Sequence, residues 1–320
     1  MRKTVNKETV SGRVYEHKLV VKQVKNQSSE NFGKDFISGT IDVATDEDCL
    51  NIVTVHFTYV TPTTKTGSAN TTFAALKKII DSGKTVVADG KDEATMVTIN
   101  TALDLNDFYT DRDGNETLVS AKRNEGGFVT IVNKLDADET KRNTFEFDFL
   151  VNGTRLVEAD GENIKEDYLV VKGGIFNFRN AILPVELIVK SAGGIKYFES
   201  LDVNPKNLVF TKVWGNINSE TIVRTVEEET ALAFGEPIVK EYSRSIKEWV
   251  ITKAAKEPYE IGDEENGITT EEIEKALSDR EVALAENKKK QDEWKAAQAV
   301  TNPTTAPTGA TTAAAGGFNF

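Results

Sequence analysis

Aromatic and basic side chains recur together along this chain at spacings that bring them to one strand face. Arg13, Tyr15 and His17 alternate in "GRVYEH", and Lys212 alternates with Trp214 in "KVW". Phe176 and Phe178 run directly into Arg179, Lys122 and Arg123 lead to Phe128, and Lys141 and Arg142 precede Phe145, Phe147 and Phe149. In a strand, residues i and i+2 point to the same side of the sheet. Rings beside cations suit the binding of single-stranded nucleic acid. Bases stack on the rings while Lys and Arg meet the phosphates, and one stacked base is worth about 1–3 kcal/mol whatever its identity. The expected binding face takes Arg13, Tyr15, Lys34, Phe36, His56, Tyr59 and Lys65 from the first half of the chain. From the second half it takes Lys122, Arg123, Arg142, Phe176, Phe178, Arg179, Lys212 and Trp214.

Burial is the competing explanation for each ring, because large aromatics fill cores. Phe145, Phe147 and Phe149 form a same-face triplet that suits a core better than a platform. Phe176, Phe178 and Trp214 fit either role equally well, and Arg13 beside Tyr15 and His17 favours exposure. "ENKKKQ" at 286–291 reads as a solvated helix face.

Catalytic motifs fail in turn. "SGKT" at 82–85 ends like a phosphate loop, but the Gly required earlier is Lys78. "DRDGNET" begins like a calcium loop, yet its Gly comes two places early and Lys122 stands where the closing Glu belongs. Two histidines and one cysteine cannot assemble a typical zinc site, and no nucleophile elbow occurs. The expectation is a protein that is not an enzyme and needs no cofactor or metal.

The net charge of −12 disfavours phosphate binding unless it is unevenly spread. Residues 1–150 carry 19 Lys and Arg against 23 Asp and Glu, and residues 151–254 carry 13 against 15. Residues 255–320 carry 7 against 13, so half of the excess lies in the last fifth of the chain. The body is mildly acidic and leaves room for basic faces. An acidic C-terminal segment is expected to compete with a nucleic acid, so removing residues after 254 is expected to raise affinity. No run of about 18 apolar residues is present. "MRKTVNKETV" lacks the apolar core of a signal peptide, which points to the cytoplasm.

The elements that must position these residues are mostly strands. "GRVYEHKLVVKQV", "DFISGTIDV" and "LNIVTVHFTYV" precede a short helix at "TTFAALKKIID", and "ATMVTINTALDL" and "ETLVSAK" follow it. The second half repeats that order with "RNTFEFDFLVNGTRLV", "DYLVVKGGIFNFR" and "AILPVELIVKS", a helix at "KYFESL", then "NLVFTKVWGNI" and "TIVRTVEEE". Three strands, a helix and two more strands is the order of an OB-fold barrel. Gly39 and Gly173 occupy equivalent second strands, where a small barrel must bend sharply. The expected fold is mainly β: two OB-like barrels in tandem, one within 1–120 and one within 121–254. An acidic connector and helix over 255–300 and a disordered low-complexity tail at 301–320 complete it. The helix spans about 270–298, opened by the capping box Thr269-x-x-Glu272, with Ile273, Leu277, Leu284 and Trp294 as its apolar stripe.

"GTIDVATDEDCLNIVTVHFTYVT", "KKIIDSGKTVVADG", "SAKRNEGGFV" and "GGIFNFRNAILPVE" together resemble the single-stranded DNA-binding proteins of tailed phages, over about residues 10–250. The resemblance implies tandem OB barrels that coat displaced strands in phage replication and recombination, in the host cytoplasm. It also implies a C-terminal tip that recruits replication partners; here that would be Phe318 and Phe320. The chain departs from the pattern at this tip, since "GGFNF" has no acids and the negative charge lies upstream. Two other readings use the same strands and rings. One is a non-enzymatic β-rich phage structural or assembly protein; the other is a carbohydrate-binding module, which the cytoplasmic expectation disfavours.

Overall fold

The computed structural model describes residues 4–301 apart from 113–114, 161–165, 229–237, 264 and 266. The first half runs β1 (Asn6–His17), β2 (Val20–Gln23), β3 (Asp35–Ala44), β4 (Ile52–Val60), α1 (Thr71–Ser82), α2 (Val86–Asp89), β5 (Met96–Arg112) and β6 (Asn115–Val132). The second runs β7 (Asn143–Val157), β8 (Tyr168–Phe176), β9 (Ile182–Val189), α3 (Ala192–Ser200), β10 (Val209–Glu228) and β11 (Ile238–Ala254), and α4 (Thr270–Thr301) follows.

Pairing closes each half into an OB barrel. In the first, β1 pairs antiparallel with β3, β3 with β4, β5 with β6, and β5 returns to β1. The closing contact between β4 and β6 is parallel, with Val55 opposite Asn124. The second half repeats this as β7–β8–β9 and β11–β10–β7, with a parallel β9–β11 contact at Ile188 and Val250. The helices that follow β4 and β9, the third barrel strand of each half once the short edge strand β2 is set aside, are capped by side chains: Asn70 accepts from the Thr72 amide and Ser191 from the Gly194 amide. The second helix begins four residues before "KYFESL", because the Ser191 cap offsets the poor helix propensity of Gly193 and Gly194.

Gly39 and Gly173 meet the demand expected of them. Gly39 has φ +131° beside a register shift, and a Cβ there would stand 2.1 Å from the Lys18 carbonyl oxygen. A Cβ on Gly173 would stand 2.3 Å from the Leu150 carbonyl oxygen and 2.8 Å from the Phe149 ring.

One expected boundary needs correction. The division at 120 falls inside β6, which pairs with β5 from Arg112↔Asn115 to Met96↔Val132. Everything up to Val132 therefore belongs with the first barrel. The barrels are joined by strand pairing, since β1 runs antiparallel to β7 from Asn6↔Phe147 to Val10↔Asn143. One hydrophobic cluster runs through both, from Val10, Ile41 and Leu76 to Phe147, Leu187 and Trp249. Phe145, Phe147 and Phe149 lie in it, at most 2% exposed.

The C-terminal segment forms a second cluster on the outside of barrel two. There Ile268, Ile273 and Ala276 cover Leu150, Phe176, Ile182 and Phe210. The capping box is present: the Thr269 amide donates to Glu272 Oε2 at 3.0 Å and the Glu272 amide to Thr269 Oγ1 at 3.2 Å. No helix among the described residues is long and apolar enough to cross a membrane.

Candidate nucleic-acid interface

Alternation along β3 sends Ile37, Ile41 and Val43 inward and Phe36, Ser38 and Thr40 outward. On β4, Val53, Val55 and Phe57 face the core and leave His56 and Thr58 on the outer side. This outer face forms the floor of a groove of 980 Å³. Lys18, Val20 and Lys22 bound it on one side, and Leu105–Phe108 of β5 with Arg123 of β6 bound the other. Four residues of α4 complete the rim: Asn287, Lys290, Gln291 and Trp294.

The groove has the chemistry that stacking and phosphate contact require. Phe36 is nearly covered, but its ring lies 4.7 Å from that of Tyr59, which is 45% exposed, so the pair forms an aromatic shelf. Among the described residues, Lys18, Lys22, Lys290 and Arg123 line it as bases and Asp107 as its one acid. That acid is neutralised by a two-pronged ion pair with Arg280 at 2.7 and 2.8 Å. Arg123 is held in place by Asp104 at 3.5 Å and Glu125 at 3.3 Å. Burial, and then the Arg123 charge, hold His56 below the usual imidazole range, so it meets a ligand as a neutral ring at pH 7. The described lining thus gathers four basic side chains, of which Arg123 is already ion-paired, on a chain of net charge −12.

Of the residues expected from sequence, Phe36, His56, Tyr59 and Arg123 come together here. Lys34 and Lys65 are exposed on neighbouring segments outside the groove lining, and Lys34 is hydrogen-bonded to Asn31 Oδ1 at 3.0 Å. Arg13 lies elsewhere, paired with Glu47 at 3.0 Å, and Tyr15 is half-buried at a register shift of β1 against β3, which interrupts the expected alternation of Arg13, Tyr15 and His17.

Three expected residues prove structural. Arg142 is 3% exposed, pairs with Glu47 at 2.8 Å and donates to the Asp136 carbonyl at 2.6 Å, so it ties loops together beneath the surface. Phe176 does sit on the outward face of β8, but Ile268 and Ile273 cover it and leave it 1% exposed. Lys122 lies between the barrels, its amine 4.6 Å above the Trp249 ring and donating to the Glu186 carbonyl at 3.0 Å. Burial lowers its pKa, which suits a structural cation between barrels and not a phosphate contact.

The remaining four lie on barrel two, apart from the groove. Phe178 is 88% exposed in the β8–β9 loop with the Arg179 guanidinium 5.1 Å over its ring. Lys212 is paired with Glu146 at 2.7 Å and stands 5.9 Å from the half-buried Trp214 ring. The β8–β9 face, equivalent to the groove floor, instead carries a Lys172–Glu186 ion pair at 3.4 Å. Phe318 and Phe320 lie outside the described residues.

Sequence reasoning missed Lys18 and Lys22, which "KLVVKQ" offered as basic residues beside the first strand. It placed the helix but missed the part played by its polar face, which it read as solvated. "ENKKKQ" is a docking face, in which the Asn287 amide donates to the Asp107 carbonyl at 2.6 Å and Lys288 pairs with Glu116. Gln291 exchanges two hydrogen bonds with the Tyr109 backbone, at 2.9 and 2.6 Å.

Among solved structures, the chain resembles the single-stranded DNA-binding protein of Thermus aquaticus. The wild-type form aligns with a TM-score of 0.45 and 10% identity, over 83% of this chain and 98% of that one. A deletion mutant aligns with a TM-score of 0.44 and 10% identity, over 83% of this chain and 100% of that one. No curated protein matches the chain in sequence. The profile of one family, YorF, matches residues 6–290, and the chain belongs to the YorF family.

Proposed function

We propose that this chain binds single-stranded DNA without strong sequence preference, and that barrel one holds the strand in the groove over β3 and β4. The observation that carries this reading is the groove itself: the Phe36–Tyr59 shelf lies among Lys18, Lys22, Lys290 and the ion-paired Arg123, and Asp107, the one acid among the described lining residues, is held by Arg280. A single strand can turn its bases onto rings and its phosphates toward cations, whereas bases in a duplex are already stacked on one another. The exposed Phe178–Arg179 pair on barrel two offers a second contact for a longer strand. On the sequence resemblance, the biological setting is the coating of displaced strands in phage replication and recombination, in the host cytoplasm. Binding of this kind is stoichiometric and needs no cofactor or catalytic group. The terminal Phe318 and Phe320 are the proposed contact for replication partners.

Fluorescence anisotropy with labelled oligo(dT), oligo(dA) and a duplex tests the reading. Both single strands should bind far more tightly than the duplex, with affinity falling as salt rises because phosphate contacts release counterions. Equal, negligible binding to all three would leave the structural or assembly reading in its place.

A further inference from the structure

The groove has two walls of different origin, one from the sheet of barrel one and the other from the C-terminal helix. Among the described residues of α4, full apolar burial is confined to its start, where Ile273 and Ala276 enter the outer cluster, while Leu277 is 48% exposed, Val282 56% exposed and Leu284 half-buried. Beyond that point the helix is held by polar groups on one face. Arg280, Asn287 and Gln291 are spaced by seven and four residues, which a helix of 3.6 residues per turn aligns on one stripe. All three bond to Asp107 or Tyr109 of the β5–β6 ribbon. Lys290 and Trp294 lie beside that stripe and line the groove.

The helix changes the groove in two ways at once. Arg280 pairs with Asp107, the one acid among the described lining residues, and the same docking adds a cation and a 51%-exposed indole opposite the sheet-borne shelf. We propose that α4 is half of the binding site, so that a single strand lies between the β3–β4 face and the helix, with Trp294 stacking on a base and Lys290 meeting a phosphate. This rests on the reading of the groove as the single-stranded DNA site, and it assigns the helix a part in binding instead of in competition with the ligand.

Anisotropy with labelled oligo(dT), using the full chain, tests it with three variants. Trp294→Ala should bind roughly 5- to 150-fold more weakly, the effect of losing one stacking contact. Lys290→Gln should weaken binding severalfold and reduce the steepness of the salt dependence by about one counterion. Lys289→Gln removes the same charge from the neighbouring position outside the groove lining and should change neither. Melting temperatures equal to wild type show that the helix remains docked in each. If wild type binds single strands and Trp294→Ala and Lys290→Gln bind as tightly or more tightly, the helix is not part of the site and the inference fails alone. If all three lysine and tryptophan variants weaken binding alike, the effect is general and the inference fails too. Wild type that does not prefer single strands overturns the reading of the groove and this inference with it.

Discussion

The indole of Trp249, in barrel two, donates a hydrogen bond to Oε1 of Glu8, in barrel one, at 2.7 Å, while Thr101 donates to Oε2 at 2.8 Å. Glu8 is 0% exposed, and burial raises its carboxyl from 4.5 to about 7 despite both donors. The strand that carries it pairs with β7, so this acid sits where the barrels join. A carboxyl raised on folding binds its proton more tightly in the folded state. Its stabilising contribution is complete below about pH 4.5 and is lost as pH rises through about 7. The span corresponds to on the order of 3 kcal/mol. Glu8→Gln keeps an acceptor for Trp249 and cannot ionise. Urea unfolding from pH 5 to 8 should show wild type losing stability against Glu8→Gln as pH rises, and parallel curves would contradict this.

The Phe36–Tyr59 shelf separates a binding ring from a packing ring. Tyr59→Ala should weaken oligo(dT) binding by about 1–3 kcal/mol with little change in melting temperature, since the side chain is 45% exposed. Phe36, at 8% exposure, should show a substantial loss of stability on truncation. Calorimetry beside anisotropy distinguishes the two, and a stability loss for Tyr59→Ala with unaltered affinity would assign that ring to packing.

Phe176 and Phe178 should behave as opposites. Phe176→Ala empties part of the cluster under Ile268 and Ile273 and should cost about 3–5 kcal/mol of stability. Phe178→Ala removes an 88%-exposed ring and should leave the melting temperature unchanged. It should weaken long oligonucleotides by about one stacking contact, and short ones that fill only the groove not at all. Equal weakening of both lengths would contradict the division of labour between the barrels.

Truncation should reverse the sign that charge alone suggests. Residues 255–320 hold 7 Lys and Arg against 13 Asp and Glu, so their removal relieves repulsion of a phosphate chain. The same cut removes Lys290, Trp294 and the partner of Asp107, and it uncovers Phe176 and Phe210. A chain ending at Ala254 should bind single strands more weakly and lose solubility. Deleting 301–320, which carries no charged residue, should leave DNA affinity unchanged while abolishing capture of any replication partner that reads Phe318 and Phe320. Tighter binding by the shorter chain would restore the competition account.

The fold was legible where a local signal and the global demand coincided. Alternating strands, the Thr269–Glu272 box and the glycines at 39 and 173 each carry a backbone requirement that one residue or one period expresses. The site was half legible for the same reason. Phe36, His56, Tyr59 and Arg123 follow from strand periodicity, which fixes face but not cover. Phe176 has the right face, and its cover comes from residues nearly a hundred positions later. Arg142 looks like a phosphate contact in sequence because nothing nearby announces Glu47 as its partner. The wall formed by α4 was illegible because its contacts with Asp107 and Tyr109 join segments more than 170 residues apart through Arg280, Asn287 and Gln291, polar residues outside the apolar stripe that the sequence shows.

Photocrosslinking offers the most direct test of the central claim that a single strand lies in the groove of barrel one. Oligo(dT) carrying 5-iododeoxyuridine at single positions, irradiated in complex with the full chain and mapped by mass spectrometry, reports which rings touch bases. The account predicts adducts concentrated on Tyr59 and Trp294, which drop when unlabelled single strand competes and persist against duplex. Adducts confined to other exposed rings, such as Phe32 or Phe128, with Tyr59 and Trp294 unmodified, would contradict it.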